Sequence, residues 1–322
     1  MDREKRVCYK LGTFVFELQH TGEIPFPHFF ERFRAGESER PSHIFELMLT
    51  DCLPQPKGVP VAHRADLDVY KITGFDAQDT DSDVHGTDSS TVKSGIDSSA
   101  VKGGAGREAR LLRFVGAPVA YGYYEEIREG HSRSYFQRDF LSYSQIDTVF
   151  YSLFALERHL LGNNGLILHC AMLRVGEEAL LFSGPSGVGK STHADLWRAQ
   201  IPDTEIINGD RALLQWTGDR LFAHGWCVSG SSGICVNRTL PVRAIVFLRQ
   251  EPKNGGVSLR GLGAVKRLVS QITVNNWNPW AVERVWELAE RLAQETAVYD
   301  YGCNMEPEAV TVLQQLLGMR EE

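Results

Sequence analysis

The chain has no CxxC pair, although it carries six cysteines in 322 residues. Cys8, Cys52, Cys170, Cys227, Cys235 and Cys303 fall into no disulfide framework and no zinc-ligand spacing, so they read as buried free thiols. A basic surplus is also missing. The net charge is -7, which argues against nucleic acid as an obligatory partner. No uncharged apolar run approaches the roughly 18–20 residues that a membrane helix needs. The charged start Met1-Asp2-Arg3-Glu4-Lys5-Arg6 leads into no apolar h-region of a signal peptide. A soluble, cytoplasmic protein without a membrane partner is the expectation. Residues 76–107 lack aromatics altogether and are rich in Asp, Ser, Thr and Gly. Such a segment buries too little apolar surface to offset its ordering entropy, so it reads as a disordered acidic loop. Asp79, Asp81 and Asp83 mimic the start of a calcium loop, but Val84 and Ser90 stand where that loop requires glycine and glutamate.

What is present is ample apolar mass: 43% of the residues are hydrophobic and 10% aromatic. That suffices for one large domain or two ordinary ones. Residues 1–75 hold strand candidates at 13–18 and 67–72, separated by a proline-punctuated stretch, and read as a small β-rich region. Residues 108–164 complete that region. Strands are expected at 111–124 and 132–141, then a helix capped by Asp147 that carries Leu153, Leu156 and Leu160 to a stop at Gly162. Residues 165–318 are denser. Apolar runs at 166–173 and 179–183 read as strands buried on both faces. Further strands fall at 205–208, 212–216, 221–224 and 242–248, with a hairpin turn at Thr217-Gly218-Asp219. Two or three helices close the chain. One runs over 279–294, capped by Asn278, with Ala281, Val285, Leu288 and Leu292 on its apolar face; another runs over about 308–317.

The segment Gly184-Pro185-Ser186-Gly187-Val188-Gly189-Lys190-Ser191-Thr192 matches the Walker A pattern G-x-x-x-x-G-K-[ST] in full. Backbone N–H groups of a tight loop must converge on one anion, and glycine permits the turns and the close approach. The strand at 179–183 feeds the loop and a helical stretch at 192–200 leaves it, the context such a phosphate cradle requires. Lys190 is expected at the outer phosphates of ATP, and Ser191 is expected to bind Mg²⁺. The strand at 205–208 ends in Asn208-Gly209-Asp210-Arg211, placing a carboxylate twenty residues beyond Lys190. An Asp there handles Mg²⁺ or its water, or activates the nucleophile; the alternative is a turn aspartate, since Asn-Gly-Asp is also good turn chemistry. His169 lies on the strand ahead of the loop strand, where a hydrogen-bonded core histidine is the competing reading. Arg211, Arg243, Lys266 and Arg267 are candidate phosphate or acceptor contacts.

Together these residues resemble the C-terminal catalytic domain of HPr kinase/phosphorylase and its relatives, in the phosphoenolpyruvate carboxykinase-like group of P-loop proteins. The resemblance covers about residues 165–317. It rests on Leu168-His169, on Gly184 to Thr192, on Asn208-Gly-Asp210-Arg211 and on Pro241-Val-Arg-Ala-Ile-Val-Phe-Leu248. It implies an α/β fold, a mixed central sheet with flanking helices, behind the β-rich N-terminal region. It also implies active-site roles for His169, Lys190 and Asp210, with Asp210 taking the acceptor's proton, Ser191 on Mg²⁺, and a homo-oligomer. The chain departs from HPr kinases at Gly209, where they carry a second Asp. It also lacks their glycine-rich signature: residues 225–237 occupy that region without a carboxylate. HPr is therefore not the expected substrate, nor phosphorylase activity the expected reaction. The sequence is more similar to shorter HPr-kinase-like proteins, some of which phosphorylate a serine in a lasso-peptide precursor, while others in the wider group act on free serine. The expectation is an ATP- and Mg²⁺-dependent kinase acting on a serine-containing peptide or small molecule. A nucleotide-gated binding protein and a carboxykinase-type enzyme are the alternatives.

Overall fold

Alternating polar and apolar residues build the first half of the protein. The computed structural model describes residues 4–73 and 106–319. Strands β1 (Lys5–Leu11), β2 (Phe14–His20), β3 (His43–Thr50), β4 (Val59–His63), β5 (Leu67–Ile72), β6 (Arg107–Arg113), β7 (Ala120–Arg128) and β8 (His131–Gln137) form one sheet, ordered β1-β2-β3-β8-β7-β6-β5-β4. Segments on either side of residues 74–105 thus share a single sheet. The polar segment of the sequence reading falls outside the described residues except at its end, where Arg107 already pairs with Ile72. The reading of one strand over 111–124 is corrected to two, β6 and β7, because the chain reverses between them at Gly116, whose φ of 81° suits glycine.

Two further corrections concern the segment that follows. Residues 138–145 form a 3-10 helix rather than the end of a strand. The single helix expected over 147–162 is two, α1 (Asp147–Leu153) and α2 (Leu156–Gly162), broken where Ala155 takes a left-handed φ of 48°. Asp147 is not a side-chain cap to the helix in the expected sense. Its Oδ2 instead accepts from Ser229 N at 3.0 Å, tying the helix start to a distant loop.

The second half is a mixed sheet with helices on both faces. It comprises β9 (Leu166–Val175), β10 (Glu178–Ser183), α3 (Lys190–Gln200), β11 (Glu205–Asn208), β12 (Arg211–Thr217), β13 (Arg220–Gly225) and β14 (Thr239–Gln250). β15 (Gly255–Leu259), α4 (Gly261–Val269), α5 (Pro279–Glu295), β16 (Ala297–Cys303) and α6 (Glu308–Leu316) complete it. β10 lies between β9, antiparallel, and β14, parallel; β14 also pairs parallel with β16. The alternation along β10 explains the continuous apolar run. Leu180 and Phe182 pack with Ala194 and Trp197 of α3 and Val310 and Leu313 of α6. Ala179 and Leu181 pack on the other side with Leu268 of α4 and Val285 and Leu288 of α5. No helix among the described residues is long and apolar enough to cross a membrane.

The halves share a core. Tyr9, Phe14, Phe30 and Phe150 belong to the same apolar cluster as Leu213, Trp226, Cys227, Val228 and Cys235. Gly12, with φ of 60°, turns the β1–β2 hairpin directly onto β12: a Cβ there would lie 1.9 Å from Gln215 Oε1. Gln215, 1% exposed, accepts from Thr13 N at 2.8 Å and donates to Asn163 O at 3.0 Å. The N-terminal sheet therefore braces residues 226–235.

His193, on α3, illustrates how dry this core is. Its Nε2 accepts from Trp197 Nε1 at 3.2 Å, and burial pushes its pKa from 6.5 down to about 4. The unfolded chain binds that proton near pH 6.5, while the folded chain resists it to about pH 4. Stability present at neutral pH is thus lost as pH falls through that window. A gap of this size corresponds to about 3 kcal/mol. The urea midpoint should drop between pH 7 and pH 4.5, and His193→Gln should flatten part of that drop. An unaltered pH profile in His193→Gln would remove His193 as its source.

Candidate phosphate-binding loop and cleft

The loop between β10 and α3 has the backbone the Walker A pattern demands. Gly184, Gly187 and Gly189 take φ of 140°, 79° and 104°. Gly189 immediately precedes the first residue of α3, so the loop delivers its N–H groups at a helix N-terminus. Lys190 is 7% exposed and folds back on the loop, donating to Gly184 O at 2.9 Å and Pro185 O at 3.1 Å. Burial lowers its pKa. Pro185, Ser186, Gly187 and Val188 line a cavity of about 360 Å³ together with Arg249 and Arg267. Gln250 Nε2 donates to Gly187 O at 3.2 Å, fixing that rim.

Ser191 and Thr192 lie in the first turn of α3, with Ser191 exposed. Ser191 lines a second cavity, of about 320 Å³, with Asp195, Gly209, Ser231, Ser232 and Ile234. Among the described residues no group of three or more His, Cys, Asp or Glu side chains could hold a metal. The donor set nevertheless fits Mg²⁺ carried in on a nucleotide. That ion keeps waters and phosphate oxygens and takes only one or two protein oxygens, for which the Ser191 hydroxyl is suited.

Lys190 lies near enough to His169 of β9, and to Asp210, just beyond β11, for their electrostatics to interact. Hydrogen bonds to main-chain carbonyls hold the latter two: Cys170 N donates to Asp210 O at 3.0 Å, and Ser183 Oγ donates to His169 O at 2.8 Å. Asn208, fully buried, shapes the turn. Its Oδ1 accepts from Asp210 N at 2.8 Å and Arg211 N at 2.9 Å, while its Nδ2 donates to Trp226 O and Val228 O. The Asn-Gly-Asp turn thus fixes the backbone of Asp210 and leaves its carboxylate to Arg211.

His169 Nε2 lies 3.8 Å from Asp210 Oδ1. Its Nδ1 meets Gln271 Oε1 at 3.3 Å, and the Gln271 amide is oriented by its own donation to Ser270 O at 2.9 Å. Nδ1 therefore carries the proton, and the Nε2 lone pair faces Asp210. Burial, aided by the Lys190 charge, lowers the His169 pKa, so the ring is neutral at pH 7. Arg211 is the second partner of the carboxylate, its Nε 3.2 Å from Asp210 Oδ2, and its Nη1 donates to Thr273 Oγ1 at 2.9 Å.

Gly209 also finds a physical reason. A Cβ there would sit 2.5 Å from Ser232 Cβ and 2.6 Å from its Oγ, so residues 229–233 occupy the space a larger side chain would need. Of the other arginines and lysines read from the sequence, Arg267 reaches the loop rim but is held by Asp300 at 2.9 Å. Arg243 is engaged elsewhere, by Glu178 at 2.8 Å, and Lys266 is exposed on α4. Arg243 is therefore withdrawn as a cleft contact. Asn208, Gln271, Thr273 and the serines at 229–232 were missed. Asn208 alone gave a signal, as the start of an Asx-type turn.

No family model matches the chain, and no curated protein matches it. Among solved structures it is similar to the HPr(Ser) kinase/phosphatase from Coxiella burnetii, at 13% identity over 47% of this chain and 95% of that one, with a TM-score of 0.27. This is a distant structural similarity.

Proposed function

We propose that this protein is a phosphotransferase of the HPr-kinase-like kind, which moves the terminal phosphoryl group of ATP to a serine hydroxyl in a peptide or in free serine. The observation that supports the reading most is the proximity of a glycine-turned loop, a buried lysine that donates to two carbonyls of that loop, and a carboxylate beyond β11 whose charge acts on the lysine, with a neutral histidine 3.8 Å from it. In this reading the loop from Gly184 to Thr192, through its main-chain N–H groups at 186–192, and the Lys190 side chain grip the phosphates, and Lys190 offsets charge on the group in flight. Ser191 would hold Mg²⁺ brought in with the nucleotide, and the ion would supply further charge neutralisation. Asp210 accepts the hydroxyl proton of the acceptor, and Arg211, donating to its Oδ2 at 3.2 Å, orients that carboxylate, with neutral His169 beside it. Gln271 and Thr273 hold His169 and Arg211 in turn.

Lys190→Ala tests the grip. Losing a charge-assisted hydrogen-bond donor to phosphate costs about 1.5–3 kcal/mol, or about 10–100-fold in affinity for ATP. Isothermal titration with ATP and Mg²⁺ reads this directly. Undiminished affinity in a folded Lys190→Ala protein would show that nucleotide does not lie in the loop. The transfer itself is read by mass spectrometry of free L-serine and serine-containing peptides after incubation with ATP and Mg²⁺.

A further inference from the structure

Residues 229–233 roof the cleft and carry three serines that are not equivalent. Ser229 Oγ donates to Asp147 Oδ2 at 3.3 Å, and Ser229 N donates to the same oxygen. Ser232 Oγ donates to Ser229 O at 2.8 Å and accepts from Ile234 N at 3.2 Å. Ser231 is exposed, and no hydrogen bond engages its hydroxyl among the described residues. It lines the cavity of about 320 Å³ that also holds Ser191 and Asp195.

The backbone before it is pressed onto the carboxylate. At Gly230 a Cβ would lie 2.6 Å from Asp210 Cβ and 3.2 Å from Asp210 Oδ2, and its φ of 57° also favours glycine. A side chain at 230 would thus displace either the roof or Asp210. The segment is pinned by Asp147 on one side and by the Ser232 turn on the other. The one unengaged hydroxyl is held between the pins, one residue from the contact with Asp210 and in the same cavity as Ser191. Such preorganisation is what an acceptor bound in place would otherwise have to gain on association.

We propose that Ser231 is an internal phosphoryl acceptor; the proposal rests on the phosphotransferase reading above. With a nucleoside triphosphate in the loop, Ser231 Oγ attacks the terminal phosphorus. The Oγ–P bond forms as the bond from that phosphorus to the bridging oxygen breaks, the nucleoside diphosphate leaves, and the hydroxyl proton passes to Asp210. The product carries a phosphate of charge about −2 beside Asp195 and Asp210. That charge disfavours entry of the next triphosphate, so the modification limits itself and restrains transfer to external acceptors.

The test uses the full chain, ATP and Mg²⁺, with free L-serine and a pool of serine-containing peptides as external probes. Intact-mass spectra, fragment spectra separating Ser231 from Ser229 and Ser232, and released ADP are recorded together. One phosphoryl group on Ser231 is expected, at a rate independent of protein concentration, slowed by about 10²–10⁴-fold in Asp210→Asn and absent from Ser231→Ala. Phosphorylated external probe with Ser231 unmodified overturns this proposal and leaves the phosphotransferase reading standing. Label on Ser231 that forms at an undiminished rate in Asp210→Asn, or whose rate grows with protein concentration, overturns the internal transfer. No phosphoryl group on protein or probe and no ADP removes both readings.

Discussion

Asp210→Asn is expected to slow phosphoryl transfer by about 10²–10⁴-fold, the range a positioned general base contributes, with nucleotide affinity nearly unchanged. The structure makes this a clean substitution. The turn around residue 210 is held by main-chain bonds, from Asp210 N to Asn208 Oδ1 and from Cys170 N to Asp210 O, and neither uses the carboxylate. Its partner at hydrogen-bond distance is Arg211, at 3.2 Å, and the neutral amide oxygen of asparagine can still accept from that guanidinium. What the amide cannot do is take a proton from a serine hydroxyl. Transfer should therefore fall without loss of fold, whereas Lys190→Ala should lose binding and transfer together. Steady-state ADP release and ATP titration on both variants make the separation. A transfer rate unaltered in Asp210→Asn would rule out the proton-acceptor role. ATP binding without turnover in the unaltered protein would favour a nucleotide-gated binding protein instead.

Much of the second half was legible because short-range patterns coincide there with long-range demands. The Walker A residues fix their own backbone through Gly184, Gly187 and Gly189, and β10 reads as doubly buried because it is covered by α3 and α6 on one face and α4 and α5 on the other. Asn278 caps α5 as read, accepting from Ala281 N at 3.4 Å. The first half was less legible. β1, with the sequence KRVCYKL, hides its alternation behind lysine and arginine, and β3 pairs in parallel with both neighbours, β2 and β8, a non-local arrangement no turn signal announces. The roof was invisible for a different reason. Residues 229–233 are small and polar and would read as any loop; their meaning lies in Gly209 and Gly230, whose missing side chains let Ser232 lie against Gly209 and Gly230 against Asp210. No local pattern encodes that approach.

The largest stability effect is expected at Glu108, which lies far from the cleft in sequence. Its side chain is almost wholly buried, yet it receives Arg110 Nη2 at 3.0 Å, Arg158 Nη1 at 2.9 Å and Asn278 Nδ2 at 3.0 Å. Burial opposes its charge, but Arg110 and Arg158 outweigh it and hold the carboxyl below its ordinary range. Arg110 also pairs with Glu157, and Arg158 with Glu126 at 2.6 Å. One carboxylate thus links β6 of the N-terminal sheet, α2, and the cap of α5 in the second half. Glu108→Ala strips the shared counter-charge from two buried guanidinium groups and should cost about 3–5 kcal/mol, read as a lower urea midpoint. Glu108→Gln keeps acceptors for the donors and should cost less. The folded-state pKa is depressed, so this stabilisation is present above the unfolded carboxyl range and is lost as pH falls below it. Because the N-terminal sheet also braces residues 226–235, the damage should reach the cleft: at denaturant concentrations well below the midpoint, Glu108→Ala should show weaker protection of the amides of residues 226–235 from hydrogen exchange. Unchanged protection there, with a lowered global midpoint, would mean that the sheet stabilises the fold without holding the roof in place.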